Sequence, residues 1–172
     1  MSRFHALAGI AVTVAACTST PAVVVPDALM PSAGETAVLT SPARGVQIYE
    51  CRARKDGSGF EWAFVAPEAE LFDAKSASIG HHGAGPTWQA NDGSRIVGSV
   101  KARADAPVTS AIPWLLLSAK STGPAGTLAA VTSIQRINTA GGLAPATPCT
   151  DGLTGTTVRV PYTADYVFFA AR

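Results

Sequence analysis

The sequence has little charge, few aromatic side chains and only three cysteines. Of its 172 residues, 15% are charged and 7% are aromatic, whereas 47% are hydrophobic. Disordered chains combine low hydrophobicity with high net charge, so this composition excludes a disordered protein. The length is sufficient for one compact domain and too short for two.

The net charge of the chain after residue 16 is zero, which argues against binding to nucleic acid. Residues 1–16 contain Arg3 and no acid, so without them the 13 Lys and Arg fall to 12, against 12 Asp and Glu. A nucleic-acid-binding surface needs clustered positive charge to displace counterions from phosphates. We therefore expect no nucleic-acid partner.

The motifs of metal, cofactor and nucleophile sites are also missing. There is no CxxC or HExxH spacing for a metal, no G-x-G-x-x-G fingerprint for a dinucleotide, and no G-x-S-x-G turn for a nucleophilic serine. The sequence therefore predicts no metal, no cofactor and no assigned catalytic residue.

The first 16 residues have the form of a signal peptide. Arg3 supplies a positive start, residues 6–14 are apolar but too few to span a bilayer, and Ala15 and Ala16 are the small residues a signal peptidase requires. Cys17 follows, which makes residues 14–17 similar to a bacterial lipobox. The alternative is an ordinary cleaved signal with an accidental cysteine.

These features predict an exported protein. Lipid on Cys17 would anchor it in a membrane, because two or three acyl chains give stable attachment. Thr18, which is not an aspartate, favours the periplasmic face of the outer membrane. Without the lipid, the protein would be secreted.

The remaining cysteines, Cys51 and Cys149, form an even pair in a chain destined for an oxidising compartment. They favour a disulfide. Two buried free thiols or a shared metal site are the alternatives, and the absence of a nearby CxxC counts against the metal.

The domain begins after a proline-containing tether. Residues 17–34 include three prolines and have no amphipathic period, so we predict a flexible segment there. From residue 35 to 172 the pattern is one of short apolar runs separated by Gly, Pro, Asp and Ser, which is typical of antiparallel sheets. We predict a single all-β domain, an antiparallel β-sandwich or barrel-like sheet with little helix.

The predicted strands are short. They cover residues 36–39, 45–52, 60–65, 87–90, 95–102, 112–119, 127–138, 156–161 and 166–170. Phe60, Trp62 and Phe64 alternate on one face and are predicted core residues, and Pro67 is predicted to end their strand. Residues 68–74 fit either a helical turn or a short strand.

Residues 80–94 contain much of the unusual chemistry. His81 and His82 are candidates for a metal site or a polar pocket, but neighbouring side chains on extended backbone point to opposite sides, so one of them at most faces a pocket. Asp92 and Ser94 first indicate a turn, and only secondarily a triad with Ser94 as nucleophile, a histidine as base and Asp92 as the group that orients the histidine.

Two further residues are candidates for ligand binding. Trp88 could stack on a sugar or another planar ligand, although a tryptophan in an apolar strand is more often part of the core. Arg136 lies at an inward position of an apolar strand, so it needs a carboxylate partner or a bound anion, unless it lies at the rim.

Ordered blocks of this sequence resemble the DUF3455 family, a domain of unknown function in secreted bacterial and fungal proteins. The blocks are GVQIYEC (45–51), WAFVAPEA (62–69), GPTW (85–88) with DGS (92–94), IPWLLL (112–117), IQRINT (134–139) with GG (141–142), and PY (161–162). The resemblance covers residues 35–170. It implies export, a cysteine pair and a single domain, without an established activity. His82 stands where the resemblance leads us to expect an aromatic side chain, which weakens a catalytic role for it.

These observations predict an exported envelope lipoprotein domain and favour a binding or structural protein over an enzyme. It would bind a small molecule or glycan through loops bearing His81, Trp88, Asp92 and Arg136. The alternative is a secreted hydrolase or carbohydrate-active enzyme that uses His81, Asp92 and Arg136. Convergence of these three residues on one cavity would be required for the enzyme.

Overall fold

Eight antiparallel strands, each paired with the next in the sequence, form a barrel that closes through pairing of the first strand with the last. The computed structural model describes residues 23–172. The strands are β1 (Glu35–Ala53), β2 (Phe60–Phe72), β3 (Ser78–Gly83), β4 (Thr87–Ala90), β5 (Arg95–Ala104), β6 (Trp114–Ser121), β7 (Val131–Gly141) and β8 (Thr157–Ala171). The fold class is therefore all-β, as predicted. Of the two predicted architectures, sandwich and barrel, the chain forms the barrel.

Helix is nearly absent from the described residues, where two 3-10 turns occur, Asp27–Leu29 and Asp151–Leu153. No helix within residues 23–172 is long and apolar enough to cross a membrane.

Several strands are longer than the sequence indicated. β1 joins two predicted strands, β8 joins two more, and β2 continues through Pro67, where we wrongly predicted an end. At Pro67, β2 pairs with β1 but its pairing with β3 starts only at Ala69. A residue without an N–H is tolerated where a strand has a partner on one side only.

The barrel interior is filled by one apolar cluster. Its largest fully buried members are Trp88, Tyr166, Phe168, Ile96 and Ile134. Eight strands enclose a space just wide enough for side chains or one small ligand. Small residues make room for the large ones: a Cβ on Gly98 would lie 2.8 Å from Cζ3 of Trp88.

A second apolar cluster lies on the outer side of β6 and β7, where residues before the barrel cover it. Leu29 is fully buried against Trp114, Leu116 and Ile137. The side-chain amide of Gln135 donates a 2.6 Å hydrogen bond to the Leu29 carbonyl oxygen. The segment assigned to the tether thus includes residues that pack on the barrel.

The predicted core role was wrong for Phe64, which is 51% exposed. Its neighbour Ala63, the cross-strand partner of Glu50, is buried, whereas Phe64 is the cross-strand partner of Tyr49 and contacts the Tyr49 ring edge-on, with centroids 5.8 Å apart. Phe60 and Trp62 are half-buried. The indole N–H of Trp62 donates to the Thr147 carbonyl oxygen at 2.8 Å and so attaches the loop that precedes β8.

The disulfide joins Cys51, near the end of β1, to Cys149 in the loop before β8, as predicted. The two Cα atoms are 5.5 Å apart and the residues are 98 positions apart in the sequence. The bond therefore fixes this loop to the end of the longest strand. Disulfides persist in oxidising compartments, so the bond indicates an exported protein.

Candidate ligand-binding pocket

A pocket opens in the barrel wall where two strands are too short to complete it. The hairpin of β3 and β4 has strands of six and four residues, whereas β2 and β5 on either side have 13 and ten. β4 pairs with β5 only as far as Val97, and β3 pairs with β2 only from Ala69 onward. The part of β2 before Ala69 and the part of β5 after Val97 therefore have no partner on the side of the hairpin. They border a notch next to the hairpin tip.

The pocket at this notch has a volume of about 310 Å³. This lies at the low end of the range of about 300 to 1,000 Å³ that is usual for small-molecule sites. Its lining is mainly apolar, with a few polar groups. The lining residues are Phe64, Val65, Pro67, His82, Gly85, Pro86, Trp88, Val100, Leu115, Leu117, Arg136 and Tyr166.

Three aromatic rings form one wall. His82 and Trp88 are cross-strand partners on β3 and β4, and their rings stack with centroids 4.2 Å apart and an interplanar angle of 13°. Tyr166 presents its edge to both, at 5.1 Å from His82 and 5.5 Å from Trp88. Offset and edge-on contacts of this kind stabilise aromatic clusters beyond the area they bury. The wall is therefore rigid.

Burial keeps His82 uncharged at neutral pH. It lowers the pKa of His82 from 6.5 to about 4, the hydrogen bond to the Thr87 carbonyl opposes this shift, and the positive charge of Arg136 adds to it. Nδ1 lies 2.8 Å from the Thr87 carbonyl oxygen. Since a carbonyl can only accept, Nδ1 carries the proton and Nε2 is an acceptor.

Arg136 is the charged residue of the lining. It lies on β7 between its cross-strand partners Leu115 and Tyr166, both of which also line the pocket. Its Nε and Nη2 donate to the Pro113 carbonyl oxygen at 3.2 and 2.8 Å. Within residues 23–172 it forms no ion pair with Asp or Glu.

The charge of Arg136 acts on the tyrosines around it. Burial raises the pKa of the Tyr166 hydroxyl well above its usual value, and Arg136 partly opposes the shift. The same two influences act on Tyr49 and Tyr162, with burial again the larger. The Tyr162 and Tyr166 hydroxyl oxygens are 3.2 Å apart. The guanidinium is therefore in a barrel interior whose hydroxyls stay protonated.

The mouth of the pocket is apolar and open to solvent. Phe64, Val65 and Val100 are 51%, 50% and 59% exposed and belong to the two strands that border the notch. Exposed apolar side chains that cluster at a concave site are typical of binding surfaces. The sequence did not predict that Phe64 borders a pocket, because its alternation with Phe60 and Trp62 indicated a core residue.

The other predicted site residues lie elsewhere. His81 is exposed and lines an open surface groove with Arg44, Glu68 and Arg159. Asp92 lines a third cavity, beside Leu128. The two histidines thus point to opposite sides of β3, as their adjacency predicted. His81, Asp92 and Arg136 line three different cavities, so they form no common site.

Asp92 has a structural environment. Its carboxylate accepts hydrogen bonds from the backbone N–H and hydroxyl of both Ser94 and Thr127, at 2.6 to 2.9 Å. These bonds, led by that of the Ser94 hydroxyl, hold the pKa of Asp92 well below its usual range. Ser94 is fully buried and its Oγ accepts from the Leu128 N–H at 3.1 Å. The Asp92–Ser94 turn therefore ties the β4–β5 hairpin to the segment before β7.

The pocket offers one cation, a neutral imidazole, protonated hydroxyls and an apolar mouth, all of which are groups that can contact a ligand. Within residues 23–172 no three His, Cys, Asp or Glu side chains lie close enough together to hold a metal ion.

Fold and site together define the chain as a small closed antiparallel barrel with a ligand-sized pocket in its wall. The chain belongs to the DUF3455 family, described as a protein of unknown function, which it matches over residues 31–170. The resemblance stated from the sequence is thereby confirmed. A search of curated proteins and a search of solved structures both found no match.

Proposed function

We propose that this protein is a non-catalytic binding protein of the cell envelope, which holds a small organic molecule in the pocket between β2 and β5. The observation that carries the proposal is the combination of an apolar, solvent-open mouth with a cation in the interior that has no acidic partner among the described residues. A barrel that served only as a scaffold would gain stability by filling this space with side chains.

The rigid aromatic wall supports binding rather than catalysis. His82 is fixed by its bond to Thr87 and by stacking on Trp88, so it offers a flat preformed surface. Preformed pockets bind small ligands without the cost of ordering side chains. A glycan is the less suitable ligand, because most of the lining is aliphatic or aromatic and offers few partners for hydroxyl groups.

Blocking the mouth tests the proposal. Val100→Trp places an indole at a strand position that is 59% exposed and borders the notch. Binding of a neutral apolar dye, N-phenyl-1-naphthylamine, followed by its fluorescence, should occur in the wild type and fall at least tenfold in Val100→Trp. Val38→Trp is the matched control, because Val38 is a strand valine that is 52% exposed and lies outside the pocket lining.

Dye binding that is equal in both variants and the wild type would place the apolar site elsewhere and contradict the proposal. The absence of any dye binding to the wild type would do so as well.

We also propose that lipid on Cys17 attaches the protein to the periplasmic face of the outer membrane. Cys17 lies outside the described residues, so support comes from the lipobox-like residues 14–17 and from the disulfide, which is typical of an exported protein. A ligand-binding barrel tethered in this way would act where small molecules cross the envelope.

A further inference from the structure

We propose that the ligand of this pocket is an organic monocarboxylate, with its carboxylate bound by Arg136 and its apolar body toward the mouth of the notch. This inference rests on the proposed function and adds the chemical class of the ligand to it.

Arg136 has donors to spare. A guanidinium carries five N–H donors, and Nε and Nη2 use one each on the Pro113 carbonyl oxygen. The bond to Pro113 fixes the side chain without neutralising its charge. The remaining donors are arranged as a planar fork, which matches the two oxygens of a carboxylate.

Nothing acidic in the lining competes for these donors. None of the lining residues is Asp or Glu. The three acids on β2, Glu61, Glu68 and Glu70, lie outside the lining; Glu61 forms an ion pair with Arg54 at 3.2 Å, and Glu68 forms one with Arg159 at 2.8 Å. A cation partly removed from water without a counter-charge is unfavourable, and a bound anion would relieve this.

The pocket provides one positive charge. His82 is neutral because burial lowers its pKa to about 4, and the tyrosines around Arg136 are protonated. A ligand with one negative charge therefore balances the site. A phosphate monoester would bring up to two charges and needs several donors, and the pocket lining contains no second cation beside Arg136.

The rest of the lining selects an apolar body. Trp88 and Leu117 extend the pocket inward, and Phe64, Val65 and Val100 surround its opening. A volume of about 310 Å³ suits a molecule with a single ring or a medium-length chain. Burial of such a body supplies affinity, and the ion pair supplies specificity.

Matched acids and amides isolate the charge. Benzoate with benzamide and octanoate with octanamide differ little in shape within each pair, and all four are titrated by calorimetry at one ionic strength and neutral pH. We expect at least one acid to bind about ten- to a hundredfold more tightly than its amide, which is the effect of a hydrogen-bonded charge. Phenyl phosphate should bind more weakly than benzoate.

Variants assign the preference to Arg136. Arg136→Gln keeps a donor for Pro113 but removes the charge, and should reduce acid binding to the level of the amide while amide binding stays unchanged. Arg103→Gln is the matched control, because Arg103 is an exposed arginine on β5 outside the pocket lining. Arg136→Lys, which keeps the charge but loses the fork, should show an intermediate acid preference and serves if Arg136→Gln does not fold.

The outcomes separate the two proposals. Equal binding of acids and amides to the wild type would overturn the carboxylate inference and leave the binding function standing. An acid preference that persists in Arg136→Gln would overturn the assignment to Arg136. Tighter binding of phenyl phosphate would overturn the carboxylate class. If the neutral dye does not bind to the wild type, the proposed function itself fails, whatever the acids and amides do.

Discussion

His82 owes its protonation state to its surroundings. In an extended strand its neighbour His81 faces solvent, whereas His82 is 3% exposed, stacks on Trp88 and has its charge disfavoured by Arg136. A histidine under these conditions stays neutral well below its usual pKa. It behaves in this barrel as an aromatic side chain that also accepts a hydrogen bond, which fits a position where the family resemblance leads us to expect an aromatic.

Stability should fall as the pH decreases from about 6.5 to about 4. In this window His82 takes up a proton in the unfolded chain but not in the folded one, so acid favours unfolding. The stability that comes from keeping His82 neutral is fully present above pH 6.5. Its loss on acidification lowers the free energy of unfolding by about 3 kcal/mol. Urea unfolding across this range measures it.

His82→Gln provides the comparison, because glutamine can still donate to Thr87 but does not titrate. The variant should lose stability less steeply than the wild type between pH 6.5 and pH 4, and His81→Gln should follow the wild type. A pH dependence that His82→Gln leaves intact would show that folding does not lower the pKa of His82.

At the level of single residues, the pocket brings together three of the five predicted site residues, His82, Trp88 and Arg136, and leaves out His81 and Asp92. Arg136 was recognised as an inward-facing charge that lacks a local partner, and it does line the pocket. Asp92 was recognised first as a turn residue, and its four hydrogen bonds are of that kind. Tyr166, Phe64, Val65 and Val100 were missed, because their position at the pocket depends on strands far apart in the sequence.

At the level of the secondary-structure elements, the short β3–β4 hairpin creates the site. The turn at residues 84–86 includes Gly85, whose φ of +113° is strained for other residues, so the chain reverses sharply there. Because β3 and β4 end while β2 and β5 continue, side chains that face a barrel interior become reachable from outside.

The loop before β8 depends on a different attachment. The Cys51–Cys149 disulfide and the hydrogen bond from Trp62 to Thr147 both hold it against the ends of β1 and β2. Its conformation therefore relies on cross-linking more than on secondary structure.

Removal of the disulfide should strongly destabilise the barrel. The closed loop spans 98 residues, so the chain-entropy model gives a loss of about 4 to 5 kcal/mol for Cys51→Ala with Cys149→Ala. Urea unfolding measures the change. Reductant should destabilise the wild type and leave the double variant unaffected. Equal free energies of unfolding for the oxidised wild type and the double variant would show that the unfolded chain gains little conformational freedom when the disulfide is lost.

The hairpin of β4 and β5 was predicted within two residues of its observed bounds, because the Asn91–Ser94 turn residues have local backbone preferences. The breaks predicted in β1, β2 and β8 were wrong, because Pro42, Pro67 and Pro161 each have a cross-strand partner on one side only, where a missing N–H is tolerated. β3 was not predicted, because glycine and histidine carry little strand preference and pairing with β2 and β4 decides its conformation.

At the level of the whole molecule, pairing of β1 with β8 closes the barrel, and within residues 23–172 the strand edges at the notch, on β2 and β5, stay unpaired. β1 pairs with β8 over most of its length, from Glu35 to Glu50, and the segment around Leu29 covers the outer cluster on β6 and β7. Barrels in which every strand is paired resist edge-to-edge association.

Anchoring through lipid predicts a change in location without a change in fold. Cys17→Ser should move the protein from the membrane fraction to the soluble envelope fraction, because no acyl chain can be attached. Fractionation with immunoblotting measures the distribution, and dye binding by the released protein should equal that of the wild type. Continued retention in the membrane fraction would contradict lipid anchoring at Cys17.

The sequence alone determined the fold class, the cysteine pairing and the family, since alternating apolar residues, turn residues and the spacing of ordered blocks are local or directly countable. Only the tertiary structure decided which residues form the pocket. His82 pairs with Trp88 on β3 and β4, and Arg136 pairs with Tyr166 on β7 and β8. These two cross-strand pairs come from opposite parts of the chain, and the pairs meet because the barrel closes. The notch that exposes them results from unequal strand lengths, which pairing energy sets and local residue preferences do not.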